Sequence, residues 1–416
     1  VEEWENRISK KYKIGAGKVV SVLGDFSPQI CALFFALMIK KTIIVPFTHI
    51  IKSEISELKD IAKVQYQFSF TKDQTWSFED FNQNESNDLI AKFREKELPG
   101  LVVFTSGSTG EKKGILHDCE RVMKKFVNKR AGWKTVLFLM MDHFGGFNTF
   151  LSAFAYEGMA VCIDERKPET VCRVIEQSSA NLLPTSPTFL NLLIASKCYK
   201  YFNLSSIKLI TYGTEVMTES TLQKTREIFP DARIKQTYGL SELGVVRSRS
   251  KGNSSLMIKI GGSGFETKII DNILWIRSES NMIGYLNADN PIDADGWMCT
   301  DDHVEVEGEY IKLIGRTSDL INVGGQKVFP SEVENILLQD DNIREATVFG
   351  VKHPLMGWII HSKVSLYQPE ERKDISERLR KFCIDKLPKF KIPVKFIIEK
   401  ESNQHNDRFK KIRRFE

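Results

Sequence analysis

Apolar, β-branched runs alternate with amphipathic stretches through the first half of this chain, and that alternation leaves few folds open. "KVVSVLGD" (18–25) reads as a strand and 27–41 as a helix; "TIIVPF" (42–47) reads as a strand and "SEISELKDIAKV" (53–64) as a helix. "LVVFTS" (101–106) is a further strand, and "KTVLFLM", "MAVCID", "NLLPTS" and "IKLITYG" follow, each with a helical pattern behind it. Short apolar strands separated by helices are the mark of βαβ units and buried parallel sheets. The run "ICALFFALMI" (30–39) fits that scheme as a buried helix, because "SPQ" ahead of it is a helix start and the run is too short to span a bilayer.

From about residue 254 the pattern changes. "LMIKI", "ETKII", "ILWIR" and "EYIKLIG" are short strands separated by Gly, Asn and Asp, which reads as an antiparallel β region. After Gly315 a smaller α+β unit follows, with a helix at 331–339, strands at 344–353 and 359–367, a helix at 375–387 and a strand at 394–400. Ser331 and Glu334 have the spacing of a capping box after Pro330, which accounts for Glu334 without any chemistry. The expected fold is α/β: a large N-terminal domain over 1–315 with a small antiparallel region, then a small mobile α+β domain over 316–416. Only about 100 residues precede the stretch at 104–114 and the chain starts at Val1, so its natural start is expected to be missing.

Charge and cysteine usage narrow the function. A net +5 from 59 basic and 54 acidic residues is not the footprint of a dedicated nucleic-acid binder. Seven cysteines without a C-x-x-C pair or zinc spacing point to reduced thiols and a cytoplasmic protein. Against that background "FTSGSTGEKKG" (104–114) stands out. Thr105, Ser106, Ser108 and Thr109 offer hydroxyls, Gly107 and Gly110 let the backbone come close, and Lys112 and Lys113 add charge. Such a loop cradles a polyphosphate, although it is not a Walker loop.

The order "TSGSTGEKKG" resembles the signature of the adenylate-forming superfamily, which includes acyl-CoA synthetases, and further motifs of that family follow in its order. Lys113 takes the family lysine position, and Lys112 stands where relatives have proline. "YGLSE" (238–242) resembles Y-G-x-T-E. This implies Glu242 as a Mg²⁺ ligand, Ser241 as the α-phosphate hydroxyl, and Tyr238 with Gly239 beside adenine. "YGTE" places Gly213, Thr214 and Glu215 along adenine, and His143 of "MDHFGGFN" would gate the acyl or pantetheine tunnel. "GWMCTDD" gives Asp302 the ribose hydroxyls, with Asp301 where relatives have glycine. "GRTSDLINVGGQKVFPSEVE" gives Arg316 a ribose contact, makes Ser318 the hinge, and assigns Gly324, Gly325 and Lys327 to the loop that meets the thiol. "KKIRR" near the C-terminus places the adenylation lysine at Lys411, with Lys410 as the other register.

The resemblance implies an ATP-dependent, AMP-forming ligase that makes an acyl-adenylate and then a thioester. ATP, Mg²⁺ and CoA would be its partners, with a carrier protein's phosphopantetheine as the other acceptor. Phe144 and Phe147 beside His143 imply an apolar acyl or aryl acid and not an α-amino acid. Two alternatives remain open at the level of sequence. One is an adenylation protein that loads an acyl carrier protein. The other is a degenerate nucleotide-binding member with a partner-binding role, to which Lys112, Ser318 and the missing glycine before the C-terminal lysines give weight.

Overall fold

The computed structural model describes all residues except 84, 107–110, 129–130, 263, 355–356, 400–403, 407–410 and 414–416, and the side chains of 106, 372 and 373. Two parallel-cored sheets form the large part. In the first, Val19–Leu23 lies between Ile43–Phe47 and Tyr66–Phe70, all parallel, and Gly100–Ser106 adds parallel to Ile43–Phe47. Antiparallel strands Lys112–Asp118 and Trp76–Asp80 extend its two sides, and Gly284–Tyr285 completes the seven. The second sheet has five parallel strands in the order Arg233–Gln236, Leu209–Tyr212, Leu182–Thr185, Lys134–Val136 and Met159–Val161. Helices start where the sequence signals them: Ser27 accepts the Ile30 N–H ahead of Pro28–Ile39, and Ser186 accepts the Phe189 N–H ahead of Pro187–Ser196.

A six-stranded antiparallel sheet follows: Ser248–Ser250, Met257–Ile260, Tyr310–Arg316, Trp297–Glu307, Ile273–Ser278 and Phe265–Ile270. The long strand Trp297–Glu307 was not expected from the sequence, because its acidic residues hide the alternation; Met298, Thr300, Asp302 and Val304 point inward. Past Arg316 the chain makes a single 3₁₀ turn at Thr317–Asp319 and enters a last sheet. There Ile343–His353 and Gly357–Leu366 form a long hairpin, flanked by Ile321–Val323 and by Lys395–Ile398. Helices Pro330–Leu337 and Arg372–Ile384 cover its core of Val333, Val348, Val364 and Leu379. Among the described residues no helix is long and apolar enough to cross a membrane. All seven cysteines are free.

The strand Gly100–Ser106 pairs antiparallel with Lys112–Asp118, Thr105 opposite Lys113 and Ser106 opposite Lys112. Within "YGLSE", Tyr238–Leu240 pairs antiparallel with Gly244–Val246. One local expectation is corrected: Ser331 and Glu334 form no capping box. Ser331 Oγ donates to the Ile314 carbonyl at 2.6 Å, and the carboxylate that accepts the N-terminal Phe329 N–H belongs to Glu332, at 3.1 Å.

Candidate active site

The predicted phosphate and metal residues converge on one edge of the first sheet. Gly107, Ser108, Thr109 and Gly110 lie outside the described residues, and the strands on either side of them are paired with each other. The Lys113 ammonium sits 5.2 Å from the centre of the Tyr285 ring. The hydroxyl of Tyr285 donates to Glu242 Oε1 at 2.7 Å. Lys112 turns the other way and pairs with Glu54 at 2.9 Å. That pairing gives the lysine in the proline position a structural role, which sequence reasoning could not supply.

Among the described residues Glu242 Oε2 accepts no hydrogen bond. Among the described residues no group of three or more His, Cys, Asp or Glu is placed to hold a metal. A single carboxylate with one open oxygen suits Mg²⁺, which retains waters and takes its other ligands from substrate phosphates; it does not suit a cation that needs an all-protein cage. The Ser241 carbonyl is fixed from behind by His117, whose Nε2 donates at 2.7 Å.

His117 is fully buried against Phe144, with ring centres 4.6 Å apart, and among the described residues its Nδ1 has no partner. Burial, with a smaller push from Lys125, holds its pKa down to about 4. The unfolded imidazole takes its proton near 6.5 while the folded one resists until about 4, so stability is complete above the first value and falls as pH drops between them. The expected loss is up to about 3 kcal/mol. Thermal melts across that interval test this, and a His117→Gln variant is expected to flatten the acid limb.

His143 begins the helix Phe144–Ala155. Gly146 in its first turn packs so close to the Met140 carbonyl that a Cβ would come within 1.9 Å. The expectation that Phe147 lines the acid pocket is corrected: it is buried in the core against Phe34 and Phe150, at 5.7 Å from each. Phe144 alone, between His117 and the hairpin at Gly244, remains beside the site.

The residues expected to hold the ribose form a compact group, in which Asp302 is buried and Arg316 is half exposed. Asp302 and Arg316 face each other across adjacent strands, and Arg316 Nε donates to Asp302 Oδ1 at 3.0 Å. The Tyr238 hydroxyl donates to Asp302 Oδ2. Tyr238 is buried, and its hydroxyl orients the carboxylate. Burial raises the pKa of Asp302, and Arg316 and Tyr238 offset that only in part.

Asp301 has φ +58, a left-handed conformation that Asp tolerates and Gly adopts freely, which gives the glycine of relatives a physical reason. Thr317 Oγ1 pins its carbonyl at 3.2 Å. Asp301→Gly is therefore expected to raise stability by about 0.5–1 kcal/mol without weakening nucleotide binding, read from thermal midpoints with and without ATP.

The adenine segment carries a second backbone departure: Thr214 has φ +72, a genuine outlier for a β-branched residue. Next to it Glu215 accepts from Thr188 Oγ1 and from the main-chain N–H of Lys411, the latter at 2.9 Å. The C-terminal tail thus reaches the segment expected to lie along adenine. Its Lys411 ammonium does not point there. It donates to Glu334 Oε2 at 2.8 Å and to the Ala346 carbonyl at 2.9 Å. Lys410 lies outside the described residues.

Ser318 sits exposed in the 3₁₀ turn between the two parts. Gly324 and Gly325, at φ +56 and +88, make the two-residue turn of a tight hairpin, and they and Lys327 are exposed. The two parts touch where the Glu219 N–H donates to Asn335 Oδ1 and Ser220 Oγ donates to the Leu338 carbonyl, both at 3.0 Å.

Residues 9–286 match the family described as AMP-binding enzyme, and residues 332–405 match the AMP-binding enzyme C-terminal domain. The chain is 24% identical over 340 residues to 2-succinylbenzoate–CoA ligase of Bacillus subtilis (strain 168), covering 74% of this chain and 67% of that protein. It is 27% identical over 369 residues to 4-coumarate-CoA ligase 1 of Narcissus pseudonarcissus, covering 74% and 66%. The 3-[(3aS,4S,7aS)-7a-methyl-1,5-dioxo-octahydro-1H-inden-4-yl]propanoyl:CoA ligase of Rhodococcus jostii (strain RHA1) matches at 26% identity over 328 residues, 71% of this chain and 61% of that protein. The chain thus spans about two thirds or less of these relatives' length. Among solved structures, an anthranilate CoA ligase in complex with anthranoyl-AMP superposes with a TM-score of 0.80 at 16% identity, over 97% of this chain and 88% of that one. The o-succinylbenzoate CoA synthetase of Bacillus subtilis with its acyl-adenylate intermediate superposes at 0.77 and 18% identity, over 99% and 91%. At such identities the likeness establishes the shared fold.

Proposed function

The chain belongs to the AMP-binding enzyme family, and from that premise we propose that it is an ATP-dependent acid–thiol ligase that forms an acyl-adenylate and then a thioester, with CoA as the acceptor. The observation that carries the reading is the buried Asp302 carboxylate, held by Tyr238 and Arg316 on adjacent strands. It is a rigid acceptor for vicinal ribose hydroxyls.

In the first step an oxygen of the substrate carboxylate attacks the α-phosphorus of ATP; that O–P bond forms as the bond to pyrophosphate breaks. Such a displacement needs positioning and charge neutralisation more than covalent help. Asp302 and Arg316 would hold the ribose, the segment Gly213–Glu215 would lie along adenine, and Lys113 with the hydroxyls of 105–109 would hold the phosphates. Glu242 would hold Mg²⁺, which when bound supplies positive charge to those phosphates. A lysine of the C-terminal tail would add to it.

In the second step a thiol sulfur attacks the acyl carbonyl. The thiol proton goes to solvent, the bond to AMP breaks, and the thioester leaves. Presenting the exposed loop with Gly324, Gly325 and Lys327 to that thiol requires the small domain to turn at Ser318. The turn would release the contacts of Glu219, Ser220 and Glu215. His143 and Phe144 flank the acid, and an apolar acyl or aryl acid fits Phe144. Pairing of Lys112 with Glu54 weakens the case for a degenerate member, since this departure now has a structural use. Exchange of labelled pyrophosphate into ATP that depends on an added acid tests the first step. Absence of exchange across aliphatic and aromatic acids would contradict it.

A further inference from the structure

One buried ion cluster lies outside the ribose and phosphate machinery, and it claims the residue expected to touch the phosphates. Glu334, on the helix Pro330–Leu337, is 2% exposed. It accepts from Lys411 Nζ at 2.8 Å, from Arg413 Nη2 at 3.0 and 3.3 Å, and from the Val348 N–H at 3.0 Å. We propose that Lys411 is a positioning residue: through Glu334 it fastens the C-terminal tail against the nucleotide side, and the contact with the triphosphate falls to another cation of the chain. The inference rests on the ligase reading for its functional consequence.

The geometry supports it from both directions of the same residue. The side chain of Lys411 is fixed inside the small domain by two good acceptors, Glu334 and the Ala346 carbonyl. Its main-chain N–H is fixed to Glu215, next to the strained Thr214 of the adenine segment. A residue tied at both ends is a rivet between the domains. Another described residue of the tail is held as well. Gln404 is buried, accepts from Thr347 Oγ1 at 2.8 Å, and takes the Ile412 N–H on its carbonyl at 2.9 Å. For the Lys411 ammonium to reach a phosphate it would have to give up both acceptors inside the protein, where such bonds are strongest and the Ala346 carbonyl would be left bare. Burial pushes the Glu334 carboxyl up, but Arg413 and Lys411 outweigh it and hold its pKa below the ordinary value, so the cluster is ionised at neutral pH.

A double-mutant cycle on the full chain separates this role from phosphate contact. Lys411→Met, Glu334→Gln and the double variant are compared in two readouts: the thermal midpoint without nucleotide, and acid-dependent ATP–pyrophosphate exchange. Lys411→Met is expected to lower the midpoint and to slow exchange about tenfold, whereas in the Glu334→Gln background it costs less than about threefold, because its partner is already gone. If Lys411→Met is too unstable to isolate, recovery of a folded midpoint in the double variant supports the same conclusion. The proposal is overturned if Lys411→Met leaves the midpoint unchanged and slows exchange by the same factor in both backgrounds. That is the behaviour of a lysine on the phosphates, for which the loss would be about a hundredfold or more. If the unmutated chain shows no exchange with any acid, the ligase reading fails, and the midpoints alone still decide whether Lys411 and Glu334 are coupled.

Discussion

Glu334→Ala is expected to lower the unfolding free energy by about 3–5 kcal/mol, the cost of leaving buried charge without its partner. The substitution removes a carboxylate that is 2% exposed and leaves Lys411, Arg413 and the Val348 N–H facing one another in the interior. Neither cation can turn to water cheaply, since only 14% and 24% of their side chains are exposed. Glu334→Gln is expected to cost less, because an amide oxygen still accepts.

The pH dependence has a definite sign. The folded pKa of Glu334 lies below the ordinary value, so its contribution is present above that value and is lost as pH falls through the lowered one. Denaturant unfolding of the Ala and Gln variants at neutral and acidic pH checks both statements. A loss under about 1 kcal/mol at neutral pH would place the cluster with surface ion pairs, which contribute little.

Asp302→Ala is expected to reduce acid-dependent pyrophosphate exchange by about 10²–10³-fold, because it removes the ribose grip and the charge that fixes Arg316. Tyr238 would keep a buried hydroxyl without its acceptor, and Arg316 would lose its 3.0 Å contact. Weaker ATP binding, measured by titration calorimetry without acid, should accompany the loss. Asp302→Asn keeps the shape but offers one acceptor oxygen where two are in use, so it should retain only a small part of the activity. A loss smaller than about tenfold would show that the ribose does not rest on Asp302.

The sequence made the layered architecture readable because burial writes itself into short-range pattern. The strands at 19–23 and 43–47 and the helix at 28–39 are continuous apolar segments with clear start signals. Trp297–Glu307 is not legible because its outward positions mix Trp297 and Cys299 with Asp301, His303 and Glu305 and its inward ones include Thr300 and Asp302, so no apolar alternation survives. The motifs located the candidate site, but they could not show which way side chains face. Lys112 meets Glu54, Tyr238 meets Asp302, and Lys411 meets Glu334, each across dozens of residues of sequence. Contacts of that range depend on how sheets stack, and periodicity carries no record of it. Glu334 is the clearest case: three residues after Ser331 it fits a cap, yet the helix turns Ser331 toward Ile314 and Glu334 into the core.

The central claim is tested most directly by AMP release from ATP across a panel of carboxylic acids, run with and without CoA and with the thioester product identified. The account predicts that AMP and an acyl-CoA thioester form together, in equal amounts, with ATP, CoA and one class of apolar acyl or aryl acid, and that Asp302→Ala slows both by about 10²–10³-fold. No AMP with any acid, or AMP formed with acid and CoA but without thioester, would contradict it.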